Sequence, residues 1–207
     1  MSLLIIEQSS LVRGAGPLWR NATTAEFLTA IEAGNLPTES FHRWLVQDYA
    51  FAKGLTACQA VATAKTPRPA QKVLLAGLAA LDSELDWFEQ KAAQYGLDLQ
   101  VATHPTCRRY VDYLIAAAYT QPSEVLLPIL FGVEAAYLCA WGSLRGDGSG
   151  SSSPYAEYID RWSNPLFAQY VADLLSHCDR HPDGVQQQHF NEVLRHEQDF
   201  WCMTWSG

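Results

Sequence analysis

Apolar side chains recur every three or four residues along most of this 207-residue chain, and this spacing constrains the fold more than any other feature. The clearest run follows Pro37 and contains Phe41, Trp44, Leu45, Phe51, Ala52 and Leu55. Such a period places apolar groups on one face of an α-helix. Strand signals are nearly absent, since there is no Asn-Gly hairpin and no sustained alternation of β-branched residues. The sequence therefore predicts an all-α protein.

Prolines and glycines divide the chain into roughly seven or eight expected helices. These cover 22–34, 37–66, 70–95, 110–119, 122–144, 155–162, 165–181 and 184–205. Thr23 or Thr24 is the expected cap of the first. Segment 146–154, GDGSGSSSP, is the one low-complexity stretch and indicates a flexible surface loop rather than a linker. Because no internal repeat is present, we expect residues 1–207 to form a single domain that contains this loop.

The net charge and the cysteine content indicate which binding partners and which cellular compartment to expect. The formal net charge of −8 disfavours nucleic acid and anionic membrane as partners. We expect no membrane span, because no 18-residue apolar stretch is evident and the N-terminus lacks a basic leader and a cleavage site. The five cysteines are odd in number and widely spaced, without a CxxC pair, which is typical of reduced thiols. A cytoplasmic protein is therefore expected.

Three acidic residues stand out because each lies in an aromatic-rich, otherwise apolar helical stretch. Asp48 shares a helix face with Trp44 and Phe51, which lie four residues before it and three after it. Glu134 is followed on its own face by Tyr137 and Trp141. Glu197 is followed by Phe200 and Trp201, but with Arg195, His196 and Asp199 around it, an exposed or ion-paired position fits Glu197 equally well.

Glu134 is the strongest single indication of a site. It is the only charged residue between Glu124 and Arg145, so exposing it would also expose a broad apolar surface. A buried carboxylate costs several kcal/mol unless it is paired or protonated, and such groups tend to mark functional sites. Three carboxylates beside aromatic rings would form an apolar pocket with a few charged anchors, which suits a flat small molecule. One carboxylate could then activate water while another protonates a leaving amine.

A metal site is a weaker alternative. His177 and His181 are four residues apart and follow Asp173, which would place them on one helix face. Histidines also occur at exposed helix ends, where they interact favourably with the helix dipole, and Pro182 follows directly. No glycine-rich phosphate loop and no GxSxG motif is present. We therefore predict neither a metal nor another cofactor.

At these positions the sequence resembles the TenA family, which includes thiaminase II. The resemblance begins with Ala30–Pro37 and the Leu45–Tyr49 stretch (LVQDY). Gly132–Tyr137 (GVEAAY) is similar to the mid-chain motif of the subgroup that lacks the family's catalytic cysteine, often named TenA-E. Glu197–Trp201 (EQDFW) is similar to the C-terminal motif with its essential glutamate. The order and spacing of these motifs hold over about residues 20 to 205.

The resemblance implies a heme-oxygenase-like helical bundle without heme, a homo-oligomer (a dimer or tetramer), and action on aminopyrimidines in thiamin salvage. By matching motifs, Asp48 would bind the pyrimidine and Glu197 would be the acid/base at the leaving amine. Tyr110 matches a pocket tyrosine of the family, and Phe51 and Trp162 stand where many relatives have ring-contacting residues. The expected substrate-contacting residues also include Trp44, Tyr137 and Trp201, which lie beside the three acids. The segment 129–134 lacks the family's cysteine, so Glu134 would replace it and favour water activation over covalent attack.

These inferences predict a hydrolase of amino- or formylaminomethyl-pyrimidine breakdown products, with Glu134 and Glu197 as catalytic residues. Two other functions remain open at this point. A non-heme di-metal oxidase of the same fold would need several inward-facing carboxylates and imidazoles. A pyrimidine-binding protein without catalytic activity would bind the ligand tightly and not convert it.

Overall fold

A computed structural model describes residues 2–145 and 153–206 of the chain. The described residues form eleven helices and no β-strand, which confirms the all-α prediction. The helices are α1 Ser2–Glu7, α2 Ser10–Ala15, α3 Pro17–Thr23, α4 Glu26–Glu32, α5 Thr38–Lys65, α6 Arg68–Tyr95, α7 Pro105–Thr120, α8 Ser123–Gly142, α9 Ala156–Ser163, α10 Pro165–Ser176 and α11 Gly184–Ser206. Seven of the nine positions of the predicted 146–154 loop, residues 146–152, lie outside the described residues.

The N-terminal segment holds three helices that the sequence pattern did not predict. Each of α1 to α3 has only six or seven residues, which is too short to form in isolation. They form because they pack against α10, α11 and α8 in the tertiary structure.

The expected cap of the 22–34 helix was wrong. Thr23 and Thr24 donate hydrogen bonds back to the carbonyls of Trp19 and Arg20, so they end α3, and α4 begins only at Glu26.

Two 28-residue helices, α5 and α6, form an antiparallel pair along one side of the bundle. Pro67 separates them because proline cannot continue a helix and restricts the residue before it. Gly96 ends α6 in the left-handed conformation at φ +66°, where a side chain would be strained. The predicted boundaries at Thr66 and Tyr95 agree with this arrangement.

The central helix is α8, which contacts α3, α9, α10 and α11. It is long and apolar enough to cross a membrane, so the expectation that no 18-residue apolar stretch exists was wrong. However, 83% of that window is buried inside the bundle, which is the environment of a core helix. Pro128 lies within α8 and cannot donate to the Glu124 carbonyl. The buried Gln186 side chain of α11 donates to that oxygen instead, at 3.0 Å, so the helix continues.

The helix predicted for 165–181 is shorter than expected, because α10 ends at Ser176. The amides of His177 and Cys178 donate to carbonyls three residues back, which tightens and ends the last turn. The segment that follows is held by other contacts: Ser10 donates to the Arg180 carbonyl, and Gln186 donates to Asp179. His177 and His181 therefore do not share a helix face.

Candidate active site

A cavity lies between five helices in the middle of the bundle. Its empty volume is about 540 Å³, including the part that opens to solvent. Helices α5, α6, α8, α9 and α10 supply the lining. The residues are Asp48, Phe51, Ala52, Leu55, Gly77, Ala80, Leu81, Glu84, Val133, Glu134, Tyr137, Trp162, Phe167 and Tyr170.

The cavity combines aromatic walls with three carboxyl groups. Five of the lining residues carry aromatic rings, and Trp162 meets Tyr137 edge to face with centroids 5.5 Å apart. The acids Asp48, Glu84 and Glu134 come from three different helices. No lysine, arginine or histidine of the described part of the chain lines the cavity. The site therefore suits a flat ligand that carries several N–H donors or a positive charge.

Asp48 is 4% exposed and is held in place by a chain of hydrogen bonds. The Tyr137 hydroxyl donates to Asp48 Oδ2 at 2.6 Å, and the Trp44 indole nitrogen donates to the Tyr137 hydroxyl at 3.0 Å. Burial raises the pKa of Asp48 well above its ordinary value, although the Tyr137 hydrogen bond opposes this shift. A neutral Asp48 can donate to a ring nitrogen through one oxygen and accept from an exocyclic amine through the other.

Glu134 projects from α8 into the cavity, as the uncharged sequence around it predicts. It is 8% exposed, and no side chain or amide among the described residues donates to its carboxyl group. Burial raises its pKa to about 8, and the charges of Glu84 and Glu197 act in the same direction. A carboxyl group with a pKa near neutrality can both release and accept a proton during catalysis.

Glu84 was not among the predicted site residues. It is partly buried on α6, and burial raises its pKa to about 7. The charge of Arg161 and the Trp162 indole oppose that shift and so favour the ionised form. One signal in the sequence could have identified it: Glu84 lies three residues after Leu81 and four before Phe88, on the buried face of the helix.

Glu197 lies behind the cavity wall rather than on it. It is 3% exposed, and the Tyr110 hydroxyl donates to its Oε1 at 2.6 Å. Burial raises the pKa of Glu197 to about 8, while the Tyr110 hydrogen bond lowers it. Its charge raises the pKa of both Asp48 and Glu134.

Five of the nine predicted site residues line the cavity: Asp48, Phe51, Glu134, Tyr137 and Trp162. Glu197, Trp44, Tyr110 and Trp201 do not, and the three aromatic residues support the lining from behind. Trp44 holds Tyr137 through its indole, and Trp201 stacks on Tyr137 with centroids 5.6 Å apart. Tyr110 packs on Phe51 with centroids 4.7 Å apart and holds Glu197.

None of the five cysteines lines this cavity. Burial raises the pKa of Cys58, Cys107 and Cys139 to about 12, so these thiols hold their protons at neutral pH. Cys202 is exposed at the far end of α11. Nucleophilic chemistry in the cavity would therefore have to come from a carboxylate or from water.

The alternative metal-binding face does not form. Asp173 lies on α10, where the Gln169 amide donates to its side chain at 2.8 Å, while His177 and His181 follow the end of that helix. Residues 2–145 and 153–206 contain no group of three or more histidine, cysteine, aspartate and glutamate side chains that could hold a metal ion.

Gly77 allows α10 to approach the cavity floor. A Cβ at this position would collide with the Tyr170 hydroxyl and with the Gln59 amide, both of which pack over the glycine. Mid-helix Gly→Ala changes ordinarily stabilise a helix by up to about 1 kcal/mol. We expect Gly77→Ala to destabilise this protein by about 1–3 kcal/mol instead, because it overpacks the site. Thermal unfolding measures the sign, and an unchanged or raised Tm would contradict this prediction.

Comparison with known proteins places this architecture in a family. The model of the TENA/THI-4/PQQC family matches residues 14–207. A soybean (Glycine max) protein named "Probable bifunctional TENA-E protein" is 24% identical over 201 residues, which cover 90% of this chain and 88% of that protein.

Solved structures agree with the sequence match. A TenA homologue from Pyrococcus furiosus superposes with a TM-score of 0.86 and 28% identity, covering 94% of this chain and 97% of that one. A TenA family transcription regulator from Silicibacter sp. TM1040 has a TM-score of 0.88 at 19% identity and covers 100% and 97% of the two chains, which shows the fold alone. The expected heme-oxygenase-like helical bundle is confirmed. Because the family model spans nearly the whole chain and its helices superpose on those of TenA homologues, this protein belongs to the TENA/THI-4/PQQC family.

Proposed function

We propose that this protein is a hydrolase that cleaves the exocyclic C–N bond of amino- or formylaminomethyl-pyrimidines, the breakdown products of thiamin. One observation carries the proposal: three carboxyl groups without a cationic partner line a single aromatic cavity. Among the described residues, no lysine, arginine or histidine nitrogen lies within 4.0 Å of these carboxyl oxygens. Buried acids without partners are costly, so their presence favours a ligand that supplies the missing donors.

Two of the cavity acids, Asp48 and Glu134, and the neighbouring buried acid Glu197 have distinct roles in this reaction. Asp48, fixed by Tyr137, binds the ring nitrogen and the amino group of the pyrimidine edge. Glu134 takes a proton from water as the new C–O bond forms at the exocyclic carbon. Glu197 supplies a proton to the neutral nitrogen as the C–N bond breaks, and ammonia or formamide leaves. An amine that enters as the ammonium form first gives one proton to an ionised carboxylate of the cavity. The proton held by Glu134 then restores Glu197, so the net reaction consumes one water.

Release of ammonia from 5-aminomethyl-pyrimidine tests this function, together with formation of the matching hydroxymethyl-pyrimidine. We expect Glu197→Gln to lower kcat by about 10²–10⁴-fold, the usual range for a general acid. Asp199→Asn is the matched control, because this exposed acid lies two residues further along α11. Full activity of Glu197→Gln would remove Glu197 from the mechanism.

The same assay separates the hydrolase from a pyrimidine-binding protein. A hydrolase forms the alcohol and ammonia in equal amounts. Tight binding of the aminopyrimidine without either product would contradict the proposed function and favour a carrier.

The homo-oligomeric state and the cytoplasmic location remain proposals. Sedimentation would test the first, and cell fractionation would test the second.

A further inference from the structure

The carboxyl group of Glu84 has no role in the reaction described above, although it lines the same cavity. It is the least buried of the three cavity acids, and it faces a site that already contains Asp48 and Glu134. Its charge acts on both of them, since it raises the pKa of each. A third acid in so small a space adds repulsion, and this repulsion is relieved when a cation enters.

Arg161 distinguishes Glu84 from the other cavity acids. This side chain lies on α9 with its guanidinium carbon 4.3 Å from the centre of the Trp87 ring, and its Nε is buried without a hydrogen-bond partner. Its charge favours the ionised form of Glu84, yet it forms no ion pair within 4.0 Å among the described residues. The Glu84 carboxyl group therefore has no direct cationic partner among the described residues.

The neighbouring acids are less suited to binding a cation. One Asp48 oxygen already accepts the Tyr137 hydrogen bond, and no positive group offsets the burial of Glu134. Both are also more than nine-tenths buried. An ion pair needs an ionised carboxylate, and Glu84 is the cavity acid whose surroundings favour that form.

We infer that Glu84 binds the positively charged substituent of the pyrimidine and makes the cavity selective for cationic over neutral and anionic ligands of the same shape. The inference rests on the proposed function only for the choice of the pyrimidine ring. It extends that function to a ranking of substrates: charged amines bind most tightly, neutral formylamines and alcohols bind more weakly, and phosphate esters are rejected. Rejection follows because no basic side chain of the described residues lines the cavity to receive an anion.

A charge series of one shape tests this inference. Three analogues of the aminopyrimidine replace its aminomethyl group by a carboxamidine, a carboxamide or a carboxylate. They are nearly isosteric, and their charges at neutral pH are about +1, 0 and −1, respectively. None contains the C–N bond that the proposed reaction cleaves. Calorimetric titration of the full chain should show the amidine binding at least about tenfold more tightly than the amide, and the carboxylate binding most weakly.

Three variants identify the residue responsible. Glu84→Gln should reduce the ratio of amidine to amide affinity by about tenfold or more, while amide affinity changes by less than about threefold. Asp82→Asn removes an equal charge from an exposed position two residues away on α6 and should leave the ratio unchanged. Arg161→Gln, which removes the charge that favours ionised Glu84, should lower the ratio.

Several outcomes would overturn the inference. These are an equal loss of amide and amidine affinity in Glu84→Gln, an unchanged ratio in that variant, or a wild-type protein that prefers the carboxylate. Failure here is distinguishable from failure of the proposed function, because binding is measured without turnover. Ammonia release with an unchanged ratio in Glu84→Gln would refute only the role of Glu84. If Glu84→Gln loses the preference for the amidine but the wild-type protein releases no ammonia, only the proposed hydrolase activity is refuted.

Discussion

Glu134→Gln is expected to lower kcat for hydrolysis of 5-aminomethyl-pyrimidine by about 10²–10⁴-fold, because an amide cannot accept the proton of the attacking water. The glutamine keeps the shape of the side chain and removes a buried charge, so the variant should fold. Binding of the uncleavable carboxamide should stay within about threefold of the wild-type value, since that analogue needs no proton transfer.

Glu124→Gln provides the control for this variant. Glu124 is exposed in the first turn of the same helix, ten residues before Glu134, and it does not line the cavity. Steady-state kinetics should therefore show unchanged kcat and KM in Glu124→Gln. If Glu134→Gln retained wild-type kcat, water activation by this residue would be refuted, whatever the behaviour of the other acids.

The stability of the ligand-free protein should fall steeply as pH rises from about 5 to about 9. Burial raises the pKa of Glu84 to about 7 and that of Glu134 and Glu197 to about 8 in the folded state. In the unfolded chain these groups titrate near 4.3. Between these limits the folded state binds more protons, so deprotonation favours unfolding. Each group contributes a loss of up to roughly 1.4 kcal/mol per pH unit in that window, and we expect Tm to fall by at least about 10 °C.

Glu134→Gln isolates the contribution of one group to this slope. Its Tm should match the wild-type value below about pH 4, where Glu134 is protonated in both states of the wild type. At about pH 9 it should exceed the wild-type value by about 3–6 °C, since the variant has no charge to bury. Differential scanning calorimetry across this range measures both curves. Parallel curves would show that Glu134 ionises in the folded state without cost, in contradiction to its burial in the cavity.

The acids whose burial the sequence predicted most directly share one property: their neighbours leave no alternative position. Glu134 sits among uncharged residues on a helix that is apolar on every face, so it could only be inside. Asp48 lies on a buried face between Trp44 and Phe51, and the same reasoning applies. The long helices were also predictable, because proline and glycine end them independently of tertiary contacts.

Other features depend on tertiary contacts that a helical period does not contain. The helical spacing predicts that Trp44 lies on the inner face of α5, but it does not determine how deeply the side chain is buried. In the structure the Trp44 indole lies behind Tyr137 and donates to its hydroxyl. Glu84 was missed because α6 is amphipathic and carries several exposed acids nearby, so a single buried acid is not conspicuous. The short helices α1 to α3 lack an intrinsic signal of sufficient length.

A crystal structure of Glu134→Gln soaked with 5-aminomethyl-pyrimidine would show directly whether the buried acids surround the substrate. We expect the ring between the aromatic walls, with its amino edge on Asp48 and its aminomethyl nitrogen facing Glu84. The exocyclic carbon should lie within about 3–4 Å of a water molecule held by residue 134, as near-attack geometry requires. A ligand bound outside this cavity, or with its exocyclic carbon turned away from residue 134, would contradict the proposed carboxylate-driven hydrolysis.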